Sequence, residues 1–267
     1  MSPMLKIRYR DVAEFDVADN PAREIYFVFG VRKSGSSILN NMVHAVATMN
    51  NVHYVDVAGT LFQKGLRAPD WQRDAGLCEL LRPGNLYGGF RNFPFGLAGH
   101  EDFATSRKVL MVRDPRDALV SEYFSNAYSH SLPESGQARR DMLAHREAAL
   151  NSDLQAYVLK MAPALRRTLR DYKSLKLDGS TKLIRYENGI MQKRAMLSDI
   201  CSFFSWSVTE QQVDQIMGWA DIVPDVERPT EFVRKVVPHD HVEKLLHETI
   251  DKLNDFFVEE LAYFGYS

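Results

Sequence analysis

Apolar positions along this chain fall into two kinds of stretch. Short continuous runs alternate with longer segments in which apolar residues recur every three or four positions, the periods of buried strands and one-sided helices. Residues 25–30 read as the first strand. Residues 36–49 place Ile38, Leu39, Met42, Val43 and Val46 on one helical face. Val52 to Val57 predicts a second strand. Asp70 to Leu81 predicts a helix that Arg82-Pro83-Gly84 stops. Leu86 to Phe90 reads as a short strand, and Lys108 to Val112 as a buried one entering Arg113-Asp114-Pro115. Pro115 suits the first turn of a helix reaching about Tyr128. Ser129 to Gly136 reads as a loop. Arg139 to Leu175 reads as mostly helical, with Pro163 breaking it or opening a new helix. A strand over Thr181 to Tyr186 and helices over 189–205, 209–219 and 240–263 complete the series. Strands alternating with helices predict a single α/β domain over residues 1–267, in three α/β/α layers around a central parallel sheet. Ligands of such sheets bind beyond the carboxyl ends of the strands. Lys33, Arg113 and Tyr186 all fall at such ends.

Composition narrows the function. The 267 residues carry a net charge of −2 and a sequence pI of about 6.5, which argues against a nonspecific nucleic-acid partner. Cys78 and Cys201 form no C-x-x-C pair and read as two buried free thiols. The N-terminus lacks an apolar signal core, and no run reaches the ~18 apolar residues of a membrane span. A soluble, cytoplasmic chain is therefore expected, with a trimmed lumenal domain as the alternative.

The chemistry starts at residues 25–37, IYFVFGVRKSGSS. A strand, a glycine-containing loop and a helix start make a phosphate cradle, because loop N–H groups and the helix N-terminus converge on an anion. A nucleoside-triphosphatase loop, G-x-x-x-x-G-K-[ST], has its lysine directly after the second glycine. Gly30 and Gly35 keep that spacing, but Ser36 stands where the lysine would be, and Lys33 precedes Gly35. This favours a phosphate site of another type than Mg-ATP. Farther on, Arg113 on a strand end and Ser121 on the following helix can converge on a second phosphate. The structural alternative is an Arg113 pairing with Asp114 or Asp117.

Taken in order, these segments resemble the sulfotransferases that use 3′-phosphoadenosine 5′-phosphosulfate (PAPS). Those enzymes carry a loop close to Y-P-K-S-G-T-T; this chain has Val31-Arg-Lys-Ser-Gly-Ser-Ser37. They carry R-N-P-K-D-x-x-x-S; this chain has Arg113-Asp-Pro-Arg-Asp-Ala-Leu-Val-Ser121. Their Y-E-D, R-K-G and closing Gly-Tyr correspond to Tyr186-Glu-Asn188, Arg234-Lys235 and Gly265-Tyr266. The resemblance implies that Arg32, Lys33, Ser34, Gly35, Ser36 and Ser37 hold the 5′-phosphate, with Lys33 at the bridging oxygen. It implies Arg113, Ser121, Arg234 and Lys235 for the 3′-phosphate and Tyr186 near the adenine. PAPS would be the co-substrate and no metal would be required.

The acceptor side departs from the pattern. Cytosolic members place a His in K-T-H-L-P; here Pro94 matches but Asn92 takes the His position, and Asn is no base. Glycan sulfotransferases use a Glu at the end of the second strand, where this chain has Asp56. Asp56 is thus the favoured base, with His53 and His100 as other candidates, and a hydroxyl-bearing carbohydrate the favoured acceptor. Asp56 could equally cap a turn, and Arg91 could hold sulfuryl oxygens or be structural. His239 replaces the usual Gly of the closing segment. His44 and Trp71 read as packing or surface residues, and Ser131 to Asp153 as a solvated helix face or an acceptor-cleft wall. A Mg-dependent kinase or nucleoside triphosphatase is the rival reading; it would want Lys at position 36 and an acidic strand end where Arg113 stands. A noncatalytic nucleotide-binding protein is the other.

Overall fold

The computed structural model describes residues 3–129, 132–228, 230, 231 and 233–266. The chain opens with strands β1 (Met4–Tyr9) and β2 (Ala13–Ala18), an antiparallel hairpin absent from the predicted elements. Its outer face is thin: Met4 and Leu5 are exposed, while Tyr9, Phe15 and Val17 are buried. Asn85 ties the hairpin to the rest of the fold by accepting from the Ala18 N–H and donating to the Ala18 carbonyl.

Next come β3 (Tyr26–Gly30), α1 (Ser36–Met49), β4 (His53–Asp56), α2 (Val57–Gln63), α3 (Ala68–Trp71) and β5 (Asn85–Phe90). The predicted 70–81 helix is corrected here: α3 is followed by a 3-10 turn over Ala75–Leu80. Asp74 interrupts it. Its carboxylate takes the Gly76 N–H, the Tyr9 hydroxyl at 2.6 Å and Arg10 at 2.5 Å, contacts a continuous helix would not offer.

The second half holds α4 (Glu101–Thr105), β6 (Arg107–Val112), α5 (Pro115–Phe124), α6 (Gly136–Leu150), α7 (Leu154–Tyr172), β7 (Thr181–Arg185), α8 (Tyr186–Gly189), α9 (Lys193–Phe204), α10 (Glu210–Ala220), α11 (Asp240–Lys244) and α12 (His247–Phe264). Pro163 does not break its helix. The interruption falls earlier, where Asp153 caps α7 by accepting from the Ala156 N–H. Buried Tyr157, Val158, Ala162, Leu165 and Leu169 pin α7 to the core on both sides of the proline, which outweighs the lost amide donor.

Strands β3 to β7 form one parallel sheet in the order β4-β5-β3-β6-β7. Alternation along β3 feeds two cores. Phe27 and Phe29 face the layer of α2, α5, α7 and α12, whereas Tyr26 and Val28 face α1, α9 and α10. The three-layer fold is the one the sequence predicted. Among the described residues, no helix is long and apolar enough to cross a membrane. Of the two cysteines, Cys201 is buried, while Cys78 is only half-buried; both are free.

Candidate functional site

The loop after β3 is held from inside. Ser34 is fully buried, its hydroxyl is within reach of the Val31 (2.6 Å) and Met111 (3.1 Å) carbonyls, and its N–H donates to the Val31 carbonyl. Ser34 therefore shapes the turn rather than facing a ligand, a correction to its place among the phosphate-binding residues. Gly30 is needed for close approach, since a Cβ there would lie 2.3 Å from the Ser36 Cβ. Gly35, at φ 78°, enters α1 from the left-handed region, where a Cβ would also press on the Tyr186 ring. Lys33 adopts φ 64° without being glycine, a backbone strain characteristic of ligand clamps. The first N–H groups of α1 have no intrahelical acceptor.

A cavity of about 420 Å³ opens over this loop. Arg32, Lys33, Gly35, Ser36 and Ser37 line it from the loop and α1. Arg113 and Ser121 line it from the end of β6 and from α5, Tyr186 from the start of α8, and Arg234 and Lys235 from the segment before α11. Arg113 links the parts: it donates to the carbonyls of Lys33 and Val237 at 3.4 Å each and lies 4.2 Å over the Tyr186 ring. It also pairs with fully buried Asp117 at 3.6 Å, while Asp114 pairs with Arg116. Among the described residues, the buried Arg113 Nε has no hydrogen-bond partner, which leaves a donor for an anion.

Asp117 also receives the His239 N–H at 2.7 Å, the His241 N–H at 2.9 Å and the His241 ring at 2.6 Å. Burial alone would push the Asp117 carboxyl up; His241 and Arg113 outweigh it and hold it at about 2. His239 takes the left-handed conformation (φ 63°) that a glycine would favour. Arg234 is not a free cation, for it pairs with Glu227 and Asp240, and Lys235 pairs with Asp240 and Glu243.

Lys33 is a strongly perturbed cation of the cavity. Burial pushes its ammonium down to about 8; Arg113, Arg234 and Arg91 add to the shift and Glu122 opposes it. Arg91 also lines the cavity, within 3.4 Å of the Ser37 hydroxyl.

The three base candidates lie elsewhere. Asp56 is exposed and does not line the cavity; its Oδ1 accepts from the Gly59 N–H and caps α2. It ends the edge strand of the sheet, with β5 between it and β3. His53 contacts the Asp16 carbonyl in the hairpin, and His100 caps α4. His44 stacks on Tyr54 and Trp71 is core. Ser131 lies outside the described residues, but Met142 and His145 from the rest of its segment line the cavity.

Sequence reasoning missed Glu122, Asn126, Lys193 and Trp219, which also line the cavity. One signal was the length of the helix after Pro115. It gives way at Ser125–Ser129 to a π-helical turn, a feature frequent at functional sites, which turns Asn126 and Ser129 toward the cavity. A second cavity of about 520 Å³ lies beyond Asp117. Several of its charged groups are already paired: Asp114 with Arg116, Glu187 with the Tyr266 hydroxyl, Arg185 with the Gly265 carbonyl. The first cavity thus brings together a main-chain loop with a lysine and an arginine whose Nε, among the described residues, has no hydrogen-bond partner.

A family model described as "Sulfotransferase domain" matches residues 103–265, more than half of the chain. Among solved structures, the fold is similar to a mouse sulfotransferase, SULT7A1, complexed with PAP. The TM-score is 0.59 at 12% identity, covering 96% of this chain and 94% of that one. It is also similar to retinol dehydratase in complex with androsterone and the inactive cofactor PAP. There the TM-score is 0.53 at 13% identity, covering 97% and 90%. No curated protein matches the sequence significantly.

Proposed function

This chain belongs to the sulfotransferase domain family, and from that premise we propose that it moves a sulfuryl group from PAPS to a hydroxyl of a polar, carbohydrate-like acceptor. The observation that carries the reading is the pairing of the loop after β3 with Arg113 in one cavity. The residues present fit the donor. The N-terminus of α1, Gly35, Ser36 and Ser37 would take the 5′-phosphate. Arg113, with its unpartnered Nε, and Ser121 would take the 3′-phosphate, and Tyr186 would flank the adenine. Arg234 and Lys235 have carboxylate partners already and contribute by holding the closing segment beside Arg113.

PAPS supplies an activated sulfuryl group on a phosphate leaving group. Lys33 would stabilise the charge that grows on that phosphate oxygen, an interaction stronger in the transition state than in the ground state. Arg91 would steady the sulfuryl oxygens from the β5 side. The acceptor class rests on the far end of the cavity, where Arg32, Glu122, Asn126, Ser129 and His145 offer hydrogen-bonding groups beside Phe124 and Met142.

The test is transfer of radiolabelled sulfuryl from PAPS to a panel of sugars, steroids and phenols. Labelled sugar as the main product supports the whole reading. Preference for an apolar steroid would keep the transferase and discard the acceptor class; no transfer to any acceptor would overturn both.

A further inference from the structure

Glu122 is the one carboxylate on the cavity wall, among the described residues, and the established parts of the site leave it without a task. Its side chain is 7% exposed. Its Oε2 lies 3.4 Å from Arg32 Nε, yet among the described residues neither atom has a hydrogen-bond partner. A buried carboxylate oxygen left unsatisfied is costly, which marks it as waiting for a donor. Glu122 also stands close enough to Lys33 to be the strongest charge acting on that ammonium. The cavity therefore sets a cation for the leaving group and a carboxylate side by side. By contrast, Asp56 has a settled structural partner and is not among the residues lining the cavity.

We propose that Glu122, oriented by Arg32, is the general base that takes the proton of the acceptor hydroxyl. This rests on the sulfotransferase reading above. In the step, the acceptor oxygen forms a bond to sulfur as its proton passes to the Glu122 carboxylate. The bond from sulfur to the donor phosphate oxygen breaks, and its electron pair stays on that oxygen beside Lys33. The products are the sulfated acceptor, 3′-phosphoadenosine 5′-phosphate (PAP) and a proton that Glu122 releases to solvent. An in-line transfer then needs the acceptor oxygen to approach the sulfur opposite the bond that breaks, with its proton within reach of Glu122.

The experiment compares wild type, Glu122→Gln, Glu122→Asp and Asp56→Asn. The donor is PAPS and the acceptors are water, methyl glucoside and 4-nitrophenol, with PAP affinity read by calorimetry. A base is needed most for the acceptor that holds its proton hardest. Glu122→Gln should slow transfer to methyl glucoside by about 10²–10⁴-fold but spare most transfer to the acidic phenol. PAP affinity should stay within about twofold, which also shows that the variant folds. Glu122→Asp should recover part of the rate, and Asp56→Asn should match wild type.

Equal losses with both acceptors would make Glu122 a counterion for Arg32 and Lys33 and overturn the proposal. So would a parallel loss of PAP affinity, an unchanged rate in Glu122→Gln, or abolition by Asp56→Asn. Wild type that neither binds PAP nor releases label to any acceptor would reject the sulfotransferase reading itself, and this proposal with it.

Discussion

The two parts of the cavity proposed to hold phosphate are built in different ways. The loop between β3 and α1 is set by main chain and glycine: Ser34 is bonded inward, Gly30 admits close packing, and Gly35 turns the backbone into the helix. The opposite end is set by side-chain charge. Asp117 draws His239, His241 and Arg113 together, and Glu227, Asp240 and Glu243 occupy Arg234 and Lys235. A main-chain cradle is held by backbone geometry rather than by side-chain charge. A network of ion pairs is adjustable and responds to the loss of any one member. The first end suits the phosphate where chemistry occurs, and the second suits a phosphate used only for recognition.

Substitutions at the two ends should therefore fail differently. At the first end, Lys33→Ala is expected to lower kcat by about 10²–10³-fold while leaving PAP affinity little changed; equal losses in both would remove Lys33 from the leaving-group role. The same residue sets a pH limit. Its ammonium is charged below about 8 and neutral above, so kcat/KM for the donor should fall as pH rises through about 8. Lys33→Arg, which stays protonated, should move that limb upward in a pH–rate profile, and a limb that stays in place would assign it to another group.

At the second end, Asp117→Asn breaks a fully buried charge network and should cost about 3 kcal/mol of stability and at least tenfold in PAP affinity. In those molecules that bind donor, kcat should be nearly preserved. A kcat loss larger than the affinity loss would blur the distinction between the ends. The smallest effect is expected at His239, whose left-handed backbone is strained. His239→Gly should raise stability by about 1 kcal/mol with PAP affinity unchanged, as read by thermal unfolding.

The same contrast explains what was legible in the sequence. β3 and α1 appear as an apolar run, a glycine loop and a helical stripe because local sequence dictates them; the α1 bounds agree residue for residue. The hairpin of β1 and β2 was missed although its alternation is legible, with Leu5, Ile7 and Tyr9 set against Lys6 and Arg8, and Ala13, Phe15 and Val17 against Glu14 and Asp16. Pro163 misled because α7 is stabilised by long-range packing that no local rule sees. In the site, Lys33, Arg113 and Tyr186 were readable as strand-end residues. Asp56 was a strand end too, but which strand borders the cavity depends on sheet order, and β4 is at the edge. Glu122 could not be found from spacing. What singles it out, among the described residues, is a buried carboxylate oxygen that has an ion pair with Arg32 but no hydrogen bond, a property that exists only once α5 and the loop after β3 are packed together.

The central claim is one cavity in which the loop after β3 and Arg113 together are proposed to hold a nucleotide with two separated phosphates. Calorimetric titration with PAP, beside ADP and Mg-ATP, tests it most directly. The account predicts tight binding of PAP that depends on its 3′-phosphate and needs no metal, with ADP much weaker. Preference for Mg-ATP, or equal binding of PAP and ADP, would contradict it.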